Sequence, residues 1–503
     1  MNRSNGHPHD RSIVDGSAGS DFLQLDIGEA PFGGRADWLA GRLRRAISDG
    51  RLPLGSRLPA TRVLAAELRV SRGVVTEAYQ RLSEDGHVAG RGRNGTVVVA
   101  ALVEAGRSAG AGPGNEAGIG GLFTVPPGDD IFDLIRSAPA RIDLSPGVPD
   151  LTAFPRAAWL RAEREVLGGL AASGFGYGDP RGTPELRRAV AHWLARNRGI
   201  RAEPDEVIVV AGTAQALALL GQVLRADGVE EIAVEDPGSL GVRQHLRRQG
   251  LRTPPVSVDA EGVRVDELGS HGAVLLTPAH QFPTGVVLGG ARRRALMRWA
   301  GDGGLVVEDD YDAEHRYDRP PVPALRSMLP ERVCYAGSVS KLLAPALRTG
   351  WVLVPARHRD ALVDAKRFAD LGNAALPQLV LARLMDSGEL ERHLRLLRRR
   401  HRRRRDVMIA AIRDRLPGAV VPGAAAGLHL LVTFEGPEPG EAGPLSDTDL
   451  AAAALARGVK AHPLSWHRQR PGPPGLLLGY AASPASVIAD GVAAIGDALD
   501  DVR

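Results

Sequence analysis

Residues 305–318, LVVEDDYDAEHRYD, and residues 333–350, VCYAGSVSKLLAPALRTG, follow one plan. A short apolar run ends abruptly in residues that can do chemistry. Leu305–Val307 leads into Glu308, Asp309, Asp310, Tyr311 and Asp312, and Val333–Ala336 into Gly337, Ser338, Val339, Ser340 and Lys341. Three earlier runs repeat the plan. Val207–Val210 is followed after Ala211 by Gly212, Thr213 and Ala214, which open a helix. Ile232–Val234 is followed by Glu235-Asp236-Pro237-Gly238, and Val274–Leu276 by TPAHQFPTG at 277–285. Such runs alternate with helical stretches, which predicts an α/β domain around a mostly parallel sheet. Ligands of open parallel sheets sit beyond the carboxyl ends of the strands. Five polar strand ends therefore point to one site.

The residue types narrow its chemistry. Lys341, Lys366 and Lys460 are the only lysines among 63 basic residues. An aldehyde cofactor needs a primary amine to form a Schiff base, and arginine cannot supply one. Lys341, flanked by Ser338 and Ser340, can. A phosphate needs backbone N–H groups of a helix N-terminus, hydroxyls and a cation. Gly212, Thr213 and Ala214 offer the first, Ser338 and Ser340 the second, and Arg348 the third. A pyridinium nitrogen stays protonated beside a carboxylate, for which Asp309 is placed, and Tyr311 can bond the ring hydroxyl. His280 is a candidate ring contact. Singly, these residues have plainer readings: Asp309 and Asp310 as loop carboxylates or a metal pair, Gly212-Thr213 as any strand–helix turn, Lys341 as a surface lysine. Their order along successive runs favours pyridoxal phosphate. The histidines lack metal-like spacing with cysteine or acids, so no metal is expected.

A second feature lies near the N-terminus. Residues 31–100 hold twelve Arg against six Asp and Glu, a net +6, although the whole chain of 503 residues carries only +4. A compact basic segment on a near-neutral body suggests a polyanion-binding module. Trp38, Leu39, Leu43 and Ile47 predict a first helix, ended by Gly50 and Pro53. Thr61 to Leu68 predicts a second, and Arg72 to Glu84 a third with Ser71 as N-cap. Runs around Val88 and 96–100, joined at Asn94-Gly95, predict a hairpin. Three helices and a hairpin form a winged helix-turn-helix, whose third helix enters the major groove of double-stranded operator DNA. Arg62, Ser71, Arg72, Val74 and Thr76 are candidate contacts on the helices, and Arg91 and Arg93 on the wing.

Length and composition set the frame. The chain suits two to four domains. Its single cysteine, Cys334, favours a reducing compartment. No apolar run suggests a membrane span or a secretory leader, so a cytoplasmic protein is expected. The expected domains are a disordered tail over 1–30, the DNA-binding module over 31–100, an Ala/Gly-rich flexible linker over 101–121, and a cofactor domain over 122–503. The last divides into a large part near 175–385 and a small part near 388–503. The basic run Arg395 to Arg405 reads as a solvated helix face between them, with a role in holding bent DNA as the alternative.

Two resemblances sharpen these expectations. Residues 36–100 resemble the DNA-binding domain of GntR-family transcription regulators. The carrying features are the GRLPLGSRLP entry (50–59), the Val-Ser-Arg turn (70–72), Ala-Tyr-Gln-Arg-Leu (78–82) and Gly-Thr (95–96) at the wing. Gly73 stands where such helices often carry Thr or Asn. Residues 175–350 resemble fold type I aminotransferases, most of all the aminotransferase-like domain of MocR/GabR-type regulators. The motifs are YGDPRG (177–182), GTAQA (212–216), VEDPG (234–238), PAHQFPTG (278–285), VEDDYDAE (307–314) and GSVSKLLAPALR (337–348). The resemblance implies Lys341 as the imine lysine, Asp309 at the ring nitrogen, Tyr311 at the ring oxygen, and Ser338, Ser340 and Arg348 at the phosphate. It also implies that Tyr177 reaches the phosphate of a neighbouring subunit, hence a homodimer. Ser239 stands where many relatives carry a ring-stacking aromatic. Arg243 and Arg468 are candidates for gripping an amino-acid carboxylate. The expected function is a pyridoxal-phosphate-dependent transcription regulator that senses the cofactor, an amine or an amino acid. The alternative is a working aminotransferase with an accessory DNA-binding arm.

Overall fold

Leu39, Leu43 and Ile47 recur at helical spacing and are fully buried on one face of the helix Arg35–Ser48. They pack with Leu64 of the helix Thr61–Glu67 and with Val75, Ala78, Tyr79 and Leu82 of the helix Arg72–Glu84. Strands β1 (Val88–Gly90) and β2 (Thr96–Val98) form an antiparallel hairpin. These are the expected three helices and hairpin. Ser71 holds the N-cap position of the third helix, but its side chain makes no capping hydrogen bond, so extended backbone alone starts that helix. The computed structural model describes residues 23, 25–31, 34–90, 95–99, 121–317, 322–423, 426–434 and 445–503. The wing residues Arg91 and Arg93 and nearly all of the expected linker lie outside the described residues, as does most of the expected tail. The end of that tail is ordered: Leu23 is buried in the three-helix core, and Ile27–Glu29 form a 3-10 turn.

The chain divides into two compact units, residues 1–108 and 109–503. In the second, the remaining strands in chain order are β3 (Ile142–Asp143), β4 (Ile208–Val210), β5 (Ala233–Asp236), β6 (Pro255–Asp259), β7 (Gly262–Val263), β8 (Ala273–Leu276), β9 (Leu305–Asp310), β10 (Val333–Ser338), β11 (Gly350–Leu353), β12 (Ala419–Val420), β13 (His429–Phe434), β14 (Val459–Lys460), β15 (His462–Pro463) and β16 (Gly475–Gly479). The main sheet has the order β4-β11-β10-β9-β8-β5-β6-β7. Strands β10, β9, β8, β5 and β6 pair in parallel. Both faces are covered, which is why these strands read as nearly continuous apolar runs. In β4, Val209 faces Leu186 and Trp193 of the helix Pro184–Arg198, whereas Ile208 and Val210 face Leu217 and Leu220 of the helix Thr213–Ala226.

One strand escaped the sequence reading. β11 runs antiparallel between β4 and β10 and separates two of the five polar strand ends. Glycine keeps those ends together. A Cβ on Gly350 would stand 2.7 Å from the Gly337 carbonyl oxygen and 3.1 Å from Gly212 Cα. The four-stranded sheet β12-β13-β16-β15 belongs to a second layer. Its core takes in Phe123, Ile131, Ile135 and Leu144 from far upstream, and β3 pairs in parallel with β14.

The basic helix differs from expectation. Glu389–Arg415 is one helix of 27 residues, and its arginines are not simply a solvated face. Arg404 is buried, with Nη1 donating to Asp150 Oδ2 at 3.0 Å and to the Ala481 carbonyl. Arg398 donates to the Glu314 carbonyl at 2.7 Å, and Arg405 lies over the Tyr317 ring, 5.0 Å from its centre.

Candidate functional site

Lys341 follows β10, where a tight turn carries the chain away from the sheet. Its side chain is half-buried and Nζ donates to the Gly147 carbonyl. Gly147 has φ +74°, and a Cβ there would come within 3.3 Å of Nζ, so the small residue leaves the amine room. Desolvation lowers the Lys341 ammonium below its ordinary pKa, against the opposing pull of Asp312 and Asp309. That raises the neutral, nucleophilic fraction of the amine.

Side chains alternate along β9, and the alternation separates its acids. Asp310 is committed to structure: Arg198 Nε lies 2.5 Å from Oδ2, and Tyr335 donates to the same oxygen at 2.6 Å, with both ion-pair side chains 1% exposed. Glu308 accepts from the backbone of Leu325 and Arg326. Asp309 differs. It is buried, and its Oδ1 has no hydrogen-bond partner among the described residues; Oδ1 of Asp310 and Asp312 is unpaired too, but each of those carboxylates is held through its Oδ2. Burial first, then the charges of Asp310 and Asp312, push its carboxyl up to about 7, with Lys341 working the other way. An orphaned buried carboxylate calls for a ligand, and a protonated ring nitrogen is a fitting one. The metal-pair alternative loses its geometry because Asp310 is already paired. Among the described residues no group of three or more His, Cys, Asp or Glu is placed to hold a metal ion.

Tyr311 and His280, each a candidate ring contact, also meet one another, with a third member. His280 Nδ1 lies 2.8 Å from the Tyr311 hydroxyl and 2.9 Å from Asp312 Oδ2. Asp312 was not singled out, although it sits in the same motif. The imidazole is packed tightly: at Gly427, φ +86°, a Cβ would fall 2.0 Å from His280 Cε1. Nearby Glu235 accepts from Thr277 N at 3.0 Å and Oγ1 at 2.8 Å, and burial nevertheless pushes its carboxyl up to about 7.

The phosphate candidates converge on one turn. Gly212 adopts φ +83° and ψ 177° as the N-cap of Thr213–Ala226, and no side chain caps that helix. The N–H groups of Thr213 and Ala214 thus have no intrahelical acceptor. Arg348 Nη2 donates to the Ala211 carbonyl, and its guanidinium lies 3.4 Å from the point a Gly212 Cβ would occupy. Arg348 itself has φ +45°, a costly conformation for a non-glycine residue. Ser338 is buried at the end of β10, with its Oγ 3.4 Å from Ser340 N. Free donors, a close cation and a backbone conformation that favours glycine fit a phosphate group.

Other candidates fall elsewhere. Tyr177 is 94% exposed and lines a surface cavity with Phe175 and Leu371. Ser239 caps the helix Leu240–Arg248, accepting from Val242 N at 3.3 Å. Arg243 is buried and donates to the carbonyls of Gly238, Trp466 and His467, which removes it as a carboxylate grip. In the N-terminal unit Arg62, Ser71, Arg72 and Thr76 are exposed and Val74 is half-buried. Arg72 Nε donates to Thr61 Oγ1 at 3.2 Å, tying the third helix to the second.

Residues 140–466 match the family of class I and II aminotransferases, and residues 36–98 match the gntR family of bacterial regulatory proteins. Over 470 residues the chain is 32% identical to the probable rhizopine catabolism regulatory protein MocR of Rhizobium meliloti, covering 91% of this chain and 92% of that one. The chain belongs to the MocR-type GntR regulators. It is also 30% identical over 466 residues to the pyridoxine biosynthesis transcriptional regulator PdxR of Corynebacterium glutamicum, covering 92% of this chain and 95% of that one. Among solved structures, the kynurenine aminotransferase of Pyrococcus horikoshii superposes with a TM-score of 0.66 at 26% identity, covering 74% of this chain and 93% of that one. The α-aminoadipate aminotransferase LysN of Thermus thermophilus, complexed with N-(5'-phosphopyridoxyl)-L-leucine, gives 0.66 at 27%, covering 77% and 98%. A MocR-type regulator thus joins a DNA-binding helix-turn-helix to a fold type I aminotransferase unit, and the cofactor of that fold is pyridoxal phosphate. No helix among the described residues is long and apolar enough to cross a membrane.

Proposed function

We propose that this cytoplasmic MocR-type regulator binds pyridoxal phosphate at Lys341 and reports the state of that site to operator DNA. The cofactor supplies an aldehyde that condenses with primary amines and a ring that withdraws electrons. Lys341 presents the amine, and Asp309 holds the ring nitrogen. Tyr311, fixed by His280 and Asp312, bonds the ring hydroxyl. Gly212, Thr213, Ala214, Ser338, Ser340 and Arg348 hold the phosphate. The observation that carries the reading is the orphaned Asp309 carboxylate in the same site as a desolvated Lys341. The effector is pyridoxal phosphate itself, or an amine or amino acid that reacts with it. Its arrival biases a two-state equilibrium of operator affinity. Arg62, Ser71, Arg72, Val74 and Thr76 face the DNA, with Arg91 and Arg93 on the wing.

The test is a visible absorbance titration with pyridoxal phosphate, followed by borohydride trapping and mass mapping to Lys341. Lys341→Ala should lose the band and the effector response while keeping measurable DNA binding. A normal effector response in that variant would refute the sensing mechanism. A second reading, residual half-transamination, draws support from the likeness to the kynurenine aminotransferase. Conversion of bound cofactor to its amine form by an amino donor would establish it, and sustained turnover with a keto-acid acceptor would make the chain a working aminotransferase.

The reading includes a homodimer. Phe175 is 61% and Leu371 58% exposed beside Tyr177, around a cavity of about 900 Å³, and Phe368, on the helix that ends at Asp370, is 86% exposed. Exposed apolar surface of this kind marks an interaction site, and a second copy would cover it while Tyr177 reached the neighbouring phosphate. Sedimentation should give a dimer, and Tyr177→Ala should weaken cofactor binding without changing the DNA-binding unit.

A further inference from the structure

Behind the Gly212 turn lies a chain of polar side chains that no expectation included. Gln215 folds back over the N-terminus of its own helix, its Oε1 accepting from Ala211 N at 2.7 Å. Its Nε2 donates to Asp370 Oδ2 at 2.7 Å. Asp370 also accepts from Lys366 Nζ, at 2.5 Å on Oδ1 and 2.6 Å on Oδ2, and from Gly372 N at 2.9 Å. The backbone of Ala211 is therefore held at both its peptide bonds, by Gln215 on its N–H and by Arg348 on its carbonyl.

Lys366 and Asp370 are four residues apart on the helix Ala356–Asp370. A surface pair at that spacing would need no burial, yet Lys366 is 0% exposed. Burying an ammonium is unfavourable, and an apolar side chain there would serve stability as well or better. The lysine is also one of only three in the chain. Although partial burial acts the other way, the bonds from Lys366, Gln215 and Gly372 hold the Asp370 carboxyl below its ordinary value. It stays charged and acts as a strong acceptor for the Gln215 amide. That bond settles which end of the amide faces Ala211.

We propose that Lys366, Asp370 and Gln215 form a positioning relay that holds the 211–214 turn open for the phosphate of the cofactor. The inference rests on the phosphate assignment made above. The three residues act through the turn, and their work is to place the N–H groups that would hold the phosphate. Breaking the relay lets the turn relax, so recognition of phosphate weakens while the lysine and ring contacts persist.

The experiment compares two aldehydes that differ only in the phosphate. Full-length wild type, Gln215→Leu and Lys366→Met are titrated with pyridoxal phosphate and with pyridoxal, following the visible band. Wild type should prefer the phosphorylated aldehyde. Gln215→Leu should bind it about tenfold more weakly and pyridoxal within about twofold of wild type, as expected for loss of one charge-assisted bond. Lys366→Met should move in the same direction by about threefold. Retained pyridoxal binding also certifies that each variant is folded. Parallel loss of both aldehydes in both variants, or no change in either, overturns the relay. A wild type that binds pyridoxal as tightly as the phosphorylated form overturns the phosphate assignment itself, and the relay with it.

Discussion

Arg72 and Arg404 both sit on arginine-bearing helices, and the two helices use them in opposite ways. Arg72 begins the helix Arg72–Glu84 and stands exposed, holding among the described residues only the Thr61 hydroxyl. Arg404 lies inside the helix Glu389–Arg415 and is 3% exposed, bonded to Asp150 and to the Ala481 carbonyl. Net charge along the sequence does not distinguish them, but apolar periodicity does. His401, Arg404, Met408 and Ile412 are spaced three and four apart and are all buried. Arg404 thus falls on the stripe that faces the core. A cation on the apolar stripe is tied to structure, and a cation off it is available to a partner.

The sharpest way to break this contrast is Arg404→Ala. Removing one partner of a buried ion pair leaves Asp150 desolvated, and Arg400, 3.2 Å from the same oxygen, compensates only in part. The expected loss is about 3 kcal/mol, the low end for such a pair. It should be read as a lower urea midpoint for the second unit at unchanged slope. A change within about 0.5 kcal/mol, as for a surface substitution, would restore the solvated-face reading.

Asp309 tests the same contrast for a buried acid that structure does not pair. Its carboxyl is raised from 3.8 to about 7, so in the cofactor-free protein it binds more protons folded than unfolded across that window. Its contribution to stability is present below about pH 4 and is lost as pH rises through about 7. Asp309→Asn should therefore flatten the fall of stability with rising pH, by at most about 1.4 kcal/mol per pH unit. Thermal melts of the cofactor-free protein from pH 4 to 8 would show it. An unchanged slope would mean that Asp309 is already paired in solution.

The legible part of this molecule was the part written locally. Gly212, Asp309, Tyr311, Ser338 and Lys341 follow apolar runs directly, and their residue types suffice to name the chemistry. The three-helix module was legible for the same reason, since each helix carries its own period and stop. What escaped depends on contacts between distant segments. Gly147 meets Lys341 across 194 residues, and Asp150 meets Arg404 across 254. β11 is hidden because its four residues follow the motif that ends at Arg348 with only Thr349 between. The different roles of Asp309 and Asp310 were within reach, since period-two alternation puts neighbours on opposite faces of a strand. The apolar run ends at Val307 and leaves no alternation to apply, whereas β9 runs to Asp310.

The smallest effect belongs to the exposed member of the opening pair. Among the described residues Arg72→Ala removes no buried partner, and the one bond it breaks there, to Thr61 Oγ1, is solvent-accessible. Folding stability should change by no more than about 0.5 kcal/mol. Affinity for an operator selected from random duplexes should fall about fivefold to tenfold, whether the guanidinium reads a base edge or a phosphate. The two contacts separate by salt. A lost phosphate contact weakens binding to every sequence and lowers the slope of log affinity against log salt by about one. A lost base contact leaves that slope nearly unchanged and relaxes preference at one position. If operator affinity does not move at all, Arg72 belongs with Arg404 as a residue spent on the fold, and exposure alone fails to mark a cation for its partner.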